Sequence, residues 1–387
     1  MNLPLRYNIR NLFVRWRATI ATIAGIALVV AVYVLLQALA VGLEKSSRNT
    51  GEPLNVMILR KGSTAESSSQ ISREQFRLIK YLPQIARDGD GMPLVSADVV
   101  VLINLARKNG DGEAHVLVRG IGTNGRFLRP QVNLVAGRWF NPGKREAVVS
   151  RKLAARFANF NIGDNFKTAG VELTVVGWMD GQYSAFDSEV WMDADEARSI
   201  FDRENYSSII VRAIDEQNLA ALTNRIESDK RLPLRAARET EYYAAQTKTA
   251  VPLRILGNFL ATAMSIGAVF AAMNTMYASV GSRTREIGTL RVLGFRRRTI
   301  MFAFILEGAL LALIGGILGC LIALPMHGYS TGTVSFDTFS EVVFQFRLTP
   351  QLLVKGLVFA LIVGVLGSLL PALRAAKLPV ISALKSV

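Results

Sequence analysis

Residues 281–298 have the sequence GSRTREIGTLRVLGFRRR and lie between two long apolar segments. This stretch contains one acid, Glu286, and six arginines: Arg283, Arg285, Arg291, Arg296, Arg297 and Arg298. Loops between membrane spans that are rich in arginine and lysine remain on the cytoplasmic side. The stretch therefore predicts a cytoplasmic loop, and it sets the orientation of the apolar segments on either side of it.

The same stretch has the pattern of a short amphipathic helix. Ile287, Leu290 and Leu293 recur at helical spacing, which places an apolar stripe opposite an arginine-rich face. Such a helix docks in a groove of another protein or lies on a membrane, and a solvated topology signal is the remaining alternative. Gly288 and Gly294 favour docking, because glycine costs a helix about 1 kcal/mol relative to alanine and is tolerated where another group must approach closely.

Four apolar segments predict transmembrane helices, at residues 18–43, 255–280, 300–324 and 352–373. Each is long enough, at about 1.5 Å per residue, to cross a hydrocarbon core of about 30 Å. A cleavable signal peptide is the alternative for the first segment, because Ala38-Leu39-Ala40 resembles a cleavage site. The length favours a span, since the apolar core of a signal peptide has only about 7 to 15 residues.

The charge distribution predicts which segments face the cytoplasm. Residues 44–250 hold 29 basic and 26 acidic residues, whereas residues 1–18, 281–298 and 374–387 together hold 13 basic residues and one acid. The net charge of +15 is thus mostly a topology signal and not a nucleic-acid footprint. We expect both termini in the cytoplasm and residues 325–351 outside it.

The first 17 residues predict a helix that lies along the cytoplasmic surface of the membrane. Leu5, Ile9, Leu12 and Trp16 share one helical face, and arginines lie between them.

Residues 44–250 predict an extracytoplasmic α+β domain, and their number is sufficient for a separate core. Ser72 begins a helix with Gln75 at the capping-box position. β-branched runs predict strands at residues 95–103, 114–118, 147–150, 172–178, 190–192 and 207–211. Helical patterns lie between them at residues 151–157, 193–201 (with Asp193 as cap) and 216–226. Because strands and helices do not alternate strictly, the pattern is typical of an α+β fold.

The motifs of catalysis are missing from this sequence. It contains no GxxxxGK[ST] phosphate loop, so we expect no ATP hydrolysis by this chain itself. His115 and His327 are isolated, without HExxH or CxxC, which disfavours a metal site. Asp180, Asp187 and Glu189 are interpreted as solvated charges of a strand-and-turn region and not as a catalytic pair.

Polar and small residues inside the third span indicate contacts between helices. Glu307 lies at membrane depth, where a carboxylate is expensive. We expect it to pair with a loop arginine or a neighbouring helix, and a proton or substrate site is the alternative. Gly315 and Gly319 form a GxxxG pattern that permits close helix approach, although an incidental pair is equally compatible with the sequence.

Three segments near the C-terminus closely resemble the MacB/FtsX-like permeases of ABC transporters. They are RTREIGTLRVLGFRRRTI (residues 283–300), LEGALLALIGGILG (306–319) and LLPALRAAKLPVISAL (369–384), in this order. A weaker resemblance to the extracytoplasmic domain of that family covers residues 137–140, 146–150, 163–164 and 175–177.

This resemblance implies a membrane protein of four transmembrane helices, with a large α+β extracytoplasmic domain between the first and second. It implies that residues 281–298 are a coupling helix that docks on an ATPase subunit. The implied contact residues are Arg283, Arg285, Glu286, Ile287, Leu290, Arg291 and Gly294. The implied location is the bacterial inner membrane.

The resemblance also implies partners. They are a second permease chain, two ATPase subunits that bind ATP and Mg, membrane lipids, and a periplasmic adaptor or membrane-fusion protein. No cofactor is expected in this chain, and no nucleic acid.

Two functions remain. One is export by mechanotransmission, in which ATP hydrolysis moves the extracytoplasmic domain, and the other is cell-division-type signalling to a cell-wall hydrolase. The size of the domain favours export, and a membrane-bound enzyme is disfavoured.

Overall fold

The computed structural model describes residues 16–108, 110, 112–246, 250–334 and 341–379. Nearly all of the predicted surface helix at residues 1–17 and most of the tail lie outside these residues. The chain forms two compact units. The helical unit consists of Met1–Val41, Pro252–Tyr329 and Phe346–Val387, and the sheet unit consists of Gly42–Val251 and Ser330–Gln345.

The elements follow one another along the chain in a mixed order. The helices are α1 (Trp16–Arg48), α2 (Arg73–Lys80), α3 (Arg151–Ala154), α4 (Ala194–Ile200), α5 (Glu216–Ser228), α6 (Glu239–Gln246), α7 (Ala250–Ser282), α8 (Thr284–Val292), α9 (Arg297–Ala323) and α10 (Pro350–Lys377). The strands are β1 (Asn55–Arg60), β2 (Val95–Ala106), β3 (Glu113–Ile121), β4 (Asn133–Gly137), β5 (Glu146–Ser150), β6 (Asn165–Thr168), β7 (Val171–Asp180), β8 (Glu189–Asp193), β9 (Ser208–Arg212), β10 (Leu234–Arg238), β11 (Ser330–Val334) and β12 (Glu341–Gln345).

Four of the described helices are long and apolar enough to cross a membrane. Their apolar segments are Thr19–Ser46, Ile255–Ser282, Arg297–Met326 and Pro350–Lys377, with mean hydropathies of 2.6, 1.8, 2.4 and 2.4. The sheet unit is formed by two segments of the chain, and the longer one lies in sequence between the first and the second of these helices. This arrangement confirms the predicted fold class.

Helices α9 and α10 pack closely because small residues face each other. A Cβ atom on Gly308 of α9 would lie only 2.5 Å from Cβ of Ser368 on α10. A Cβ atom on Gly316 would lie 2.7 Å from Cβ of Ala360. Glycines at such positions let two backbones approach more closely than larger side chains allow.

The sheet unit is built on one continuous sheet of ten strands. Their order is β10-β1-β9-β2-β3-β8-β5-β7-β4, with β6 paired to β7. Neighbouring strands are antiparallel except for β3 with β8 and β5 with β7. The predicted capping box of α2 is present, because Ser72 Oγ accepts the N–H of Gln75 and Gln75 Oε1 accepts the N–H of Ser72.

Strand β1 was not predicted from the sequence, because its residues form a short apolar run without alternation. Val56 and Ile58 enter one core, beside α2 and α5. Met57 and Leu59 enter another core on the opposite side, which contains Trp191. A strand covered on both faces needs apolar residues at every position, so the period of two that marks a half-exposed strand is lost.

Residues 325–351, predicted as a loop between the third and fourth spans, contain the hairpin of β11 and β12. Ser330 pairs with Gln345, and the register continues to Val334 with Glu341. Strand β12 lies beside β3 and the short 3₁₀ helix Ala185–Ser188. The hairpin therefore belongs to the sheet unit, although about 80 residues of helical chain precede it.

Candidate functional site

The arginine-rich stretch folds into α8, a short helix that follows α7 directly. The helix ends at a Schellman motif, in which Gly294 N–H donates to Arg291 O (3.2 Å) and Phe295 N–H donates to Leu290 O (3.1 Å). Gly294 has φ +92°, a conformation that glycine adopts without strain. Gly294 therefore has a structural role in ending the helix. Its predicted contact with an ATPase stays a prediction.

The predicted apolar stripe of α8 is only partly available to a partner. Ile287 is only 2% exposed and packs against Val280, Ile300 and other buried side chains of the helical unit. Leu290 is half-buried. The inclusion of Ile287 among the partner contacts is therefore wrong, because this side chain anchors α8 to its own unit.

The exposed apolar side chains lie at the C-terminal end of α8. Val292 is 62% exposed and Leu293 is 65% exposed. Several charged residues lie near Val292 and Leu293 in the sequence. The exposed ones are Arg285, Glu286, Arg296, Arg297 and Arg298. Arg291 is half-buried and donates to the backbone oxygen of Phe295 (3.3 Å). We call Val292 and Leu293 with the exposed arginines the α8 surface.

A buried ion pair ties the start of α8 to the third span. Arg283 Nη1 donates to Glu307 Oε2 (3.0 Å), and Arg283 Nη2 donates to Glu307 Oε1 (3.3 Å). Ser279 Oγ also donates to Glu307 Oε1, at 3.3 Å. The expected partner of Glu307 is thus a loop arginine. Arg283 in turn is buried, so its predicted contact with an ATPase is corrected to a contact within the chain.

Gly315 and Gly319 of α9 face α1. A Cβ atom on Gly319 would lie 2.5 Å from the carbonyl oxygen of Ala27, and one on Gly315 would lie 3.0 Å from that of Ile23. These two glycines therefore allow α9 to approach the backbone of α1.

The sheet unit contains a buried ionic network that the sequence reading missed. Arg119 is bidentate to Glu66, with donor distances of 2.7 and 2.9 Å, and it also donates twice to Glu189, at 2.8 Å each. Arg129 pairs with Asp98, and all five residues are buried. Single charged residues within apolar strands, such as Arg119 in VLVRGI, are the sequence signal that indicates such a network.

Asp187 and Glu189, two of the three acids that the sequence predicts to be solvated, instead make contacts in the interior of the sheet unit. Glu189 accepts from Arg119 and from Trp191 Nε1 (2.7 Å). Asp187 pairs with Lys152 and accepts the N–H groups of Gly181 (2.8 Å) and Tyr183 (2.9 Å). The prediction of solvated charges is wrong for both residues, because a cation that is distant in sequence packs against each of them, Lys152 against Asp187 and Arg119 against Glu189.

The described part of the sheet unit also contains a cavity of about 870 Å³. It lies between α2, the segment before β2 and the turn after β3, and its lining includes Phe76, Lys80, Phe127, Asp195 and Tyr206.

Two family models match the chain. The MacB-like periplasmic core domain matches residues 19–229, and the FtsX-like permease C-terminal domain matches residues 258–380. The first match includes nearly all of α1 and most of the sheet unit, and the second includes most of α7 and all of α8, α9 and α10.

Three curated relatives illustrate the similarity. The uncharacterized ABC transporter permease YvrN of Bacillus subtilis (strain 168) is 38% identical over 29% of this chain and 26% of its own length. The macrolide export ATP-binding/permease protein MacB of Bordetella avium (strain 197N) is 29% identical over 71% of this chain and 42% of its own length. The uncharacterized ABC transporter permease YknZ of Bacillus subtilis (strain 168) is 24% identical over 70% of each chain.

The chain thus spans less than half the length of some of the relatives that it matches. The family is nevertheless defined, since the core-domain model alone covers more than half of this chain. The predicted resemblance is confirmed, and the chain belongs to the MacB/FtsX-like family of ABC transporter permeases.

Proposed function

We propose that this chain is a permease subunit that couples ATP hydrolysis by a separate ATPase subunit to movement of its sheet unit, and that the movement drives export of a substrate. The ATPase subunit binds the ATP and Mg²⁺. The observation that carries the proposal is the α8 surface, in which Val292 and Leu293 are exposed on a helix whose other side is anchored.

The α8 surface has the chemistry of a docking site for a groove in a protein. Full burial of an aliphatic side chain of this size contributes about 1.5–3 kcal/mol, so Val292 and Leu293 together supply a substantial part of an interface. The exposed arginines favour a groove with an acidic rim, and such charges fix the orientation of a partner.

The anchoring of α8 makes it suitable for the transmission of force. Ile287 holds the middle of the helix in an apolar core, and the Arg283–Glu307 pair holds its start on α9. A displacement of α8 by an ATPase would therefore displace α9 as well, since a buried ion pair is costly to break.

The proposal includes an arrangement in the inner membrane. Both termini and α8 lie in the cytoplasm, and the sheet unit lies outside it, in agreement with the charge distribution. Two copies of the chain act with two ATPase subunits, and a periplasmic adaptor or membrane-fusion protein receives the substrate.

Export is favoured over cell-division-type signalling by one observation. A relative that matches 71% of this chain is named as a macrolide export protein.

Co-purification of a tagged ATPase subunit tests the coupling step. Leu293→Asp places a charge in the proposed apolar contact, and we expect at least about a hundredfold weaker association, because burial of an unpaired charge costs several kcal/mol. Leu78→Asp is the matched control, since Leu78 is an exposed leucine of the sheet unit. If Leu293→Asp inserts normally and retains the ATPase as well as Leu78→Asp does, α8 is not the coupling element.

A further inference from the structure

Two chain segments connect the sheet unit to membrane helices. Residues 49–54 follow α1, and α6 precedes α7. Glu239, the first residue of α6, is completely buried and contacts the first of these segments. Its Oε2 accepts the backbone N–H of Glu52 (2.9 Å) and the side-chain amide of Asn55 (2.8 Å).

The backbones of the two segments are also in direct contact. A Cβ atom on Gly51 would lie 2.6 Å from the backbone nitrogen of Thr240, so a larger residue would push the segments apart. Asn55 fastens this junction to the sheet, because its amide also donates to Leu128 O (2.8 Å) and its Oδ1 accepts from Arg212 Nε (3.1 Å).

From these contacts we infer that Glu239 is a positioning residue that clamps the segment arriving from α1 to the segment leaving toward α7, so that both connections move as one body. The inference rests on the proposed function, because the clamp matters for function only if movement is transmitted between the membrane helices and the sheet unit. Two independent tethers would allow one membrane helix to move while the sheet unit stayed still. A clamped pair transmits the displacement of either helix to the whole unit.

The electrostatic surroundings make this clamp sensitive to protons. The charged or titratable groups that act on Glu239 are Arg129, Glu66 and Tyr243. Burial raises the pKa of Glu239 from 4.5 to about 7, although Arg129 opposes this shift. Among the described residues, Glu239 Oε1 has no hydrogen-bond donor, which also disfavours the ionised form.

Opening of the clamp would expose Glu239 to water and return its pKa toward 4.5. The closed form thus holds the proton more tightly than the open form, so the clamp is tightest below pH 4.5. As the pH rises from 4.5 to about 7, the opening equilibrium should increase about tenfold per pH unit and then level off.

Distances between two spin labels in the full-length chain test the clamp. The labels replace Asn49 and Ala244, which are exposed residues of the two segments, in a Cys320→Ser background. In nanodiscs at pH 5.5 we expect one narrow distance distribution for the parent protein and a broad one for Glu239→Ala. Glu241→Ala is the matched control, because Glu241 is an exposed glutamate of the same helix. It should behave like the parent.

The conservative variant separates positioning from a general loss of folding. Glu239→Gln keeps an acceptor for Glu52 and Asn55 but does not titrate, so its distribution should stay narrow from pH 5.5 to pH 8. The parent distribution should broaden over the same range. Identical distributions for the parent and Glu239→Gln at every pH would overturn the inference, and so would a narrow distribution for a folded Glu239→Ala. These measurements need no ATPase, whereas failure of the proposed function would appear as intact ATPase binding by Leu293→Asp.

Discussion

Arg283 and Glu307 illustrate how a charged side chain is tolerated at the level of a membrane helix. Both are buried, and two hydrogen bonds join the guanidinium to the carboxylate. Ser279 adds a third donor. Removal of one partner would leave the other charge buried and uncompensated, whereas removal of both would leave none.

We therefore expect different costs for single and double substitutions of this pair. Glu307→Leu alone should destabilise the helical unit by about 3–5 kcal/mol, and the combination of Glu307→Leu with Arg283→Met should recover most of that loss. Thermal unfolding of the full chain in detergent, followed by circular dichroism, measures the effect. Arg285→Met is the control, because Arg285 is exposed. If the double variant is no more stable than Glu307→Leu, the pair does not act as proposed.

Glu239 makes the stability of the sheet unit dependent on pH. Its pKa in the folded chain, about 7, lies above the ordinary value of 4.5, so the folded state binds more protons between these values. The contribution of Glu239 to stability is thus fully present below pH 4.5 and is lost as the pH rises to about 7.

The free energy of unfolding of Glu239→Gln, measured relative to that of the parent, should therefore rise by up to about 3 kcal/mol between pH 4.5 and pH 7. Tryptophan fluorescence during urea unfolding reports this change, because three of the four tryptophans lie in the sheet unit. If the difference in the free energy of unfolding between the two proteins stays constant over this pH range, the raised pKa of Glu239 is contradicted.

At the scale of elements, the contact of α9 with α1 depends on glycine. A methyl group on Gly319 would meet backbone and side-chain atoms of α1. Backbone cannot move aside as the end of a flexible side chain can, so the two helices would have to separate.

Gly319→Ala should accordingly destabilise the helical unit by about 1–3 kcal/mol. Gly267→Ala is the matched control in α7, because the added methyl group would meet no atom within 4 Å apart from the neighbouring residues and backbone of its own helix. That substitution should be neutral or stabilising, since alanine favours a helix by about 1 kcal/mol. Thermal unfolding in detergent compares the two variants, and equal midpoints would argue against a close contact of α9 with α1.

At the scale of the whole molecule, the charge distribution predicts the topology. Thr64 and Ser282 are exposed and lie in the sheet unit and at the end of α7. With Cys320→Ser as background, a membrane-impermeant maleimide should label Thr64→Cys in intact spheroplasts and should label Ser282→Cys only after permeabilisation. Labelling of Ser282→Cys in intact spheroplasts would reverse the orientation and remove α8 from the cytoplasm.

The sequence by itself determined the four long helices, the α+β class of the inserted domain and the family. These features depend on local properties, namely apolar length, charge next to the spans and the order of short motifs. The sequence also indicated that Glu307 needs a partner, because the cost of a carboxylate at membrane depth does not depend on the fold.

Only the tertiary structure decided which side chains are free to act. Helical periodicity places Ile287 and Leu293 on one stripe, but the packing of the helical unit covers the first and leaves the second exposed. The ionic network around Arg119 and the junction at Glu239 join residues that lie far apart in the chain. Such contacts depend on how strands and segments meet in space, and a single sequence records no distances between them.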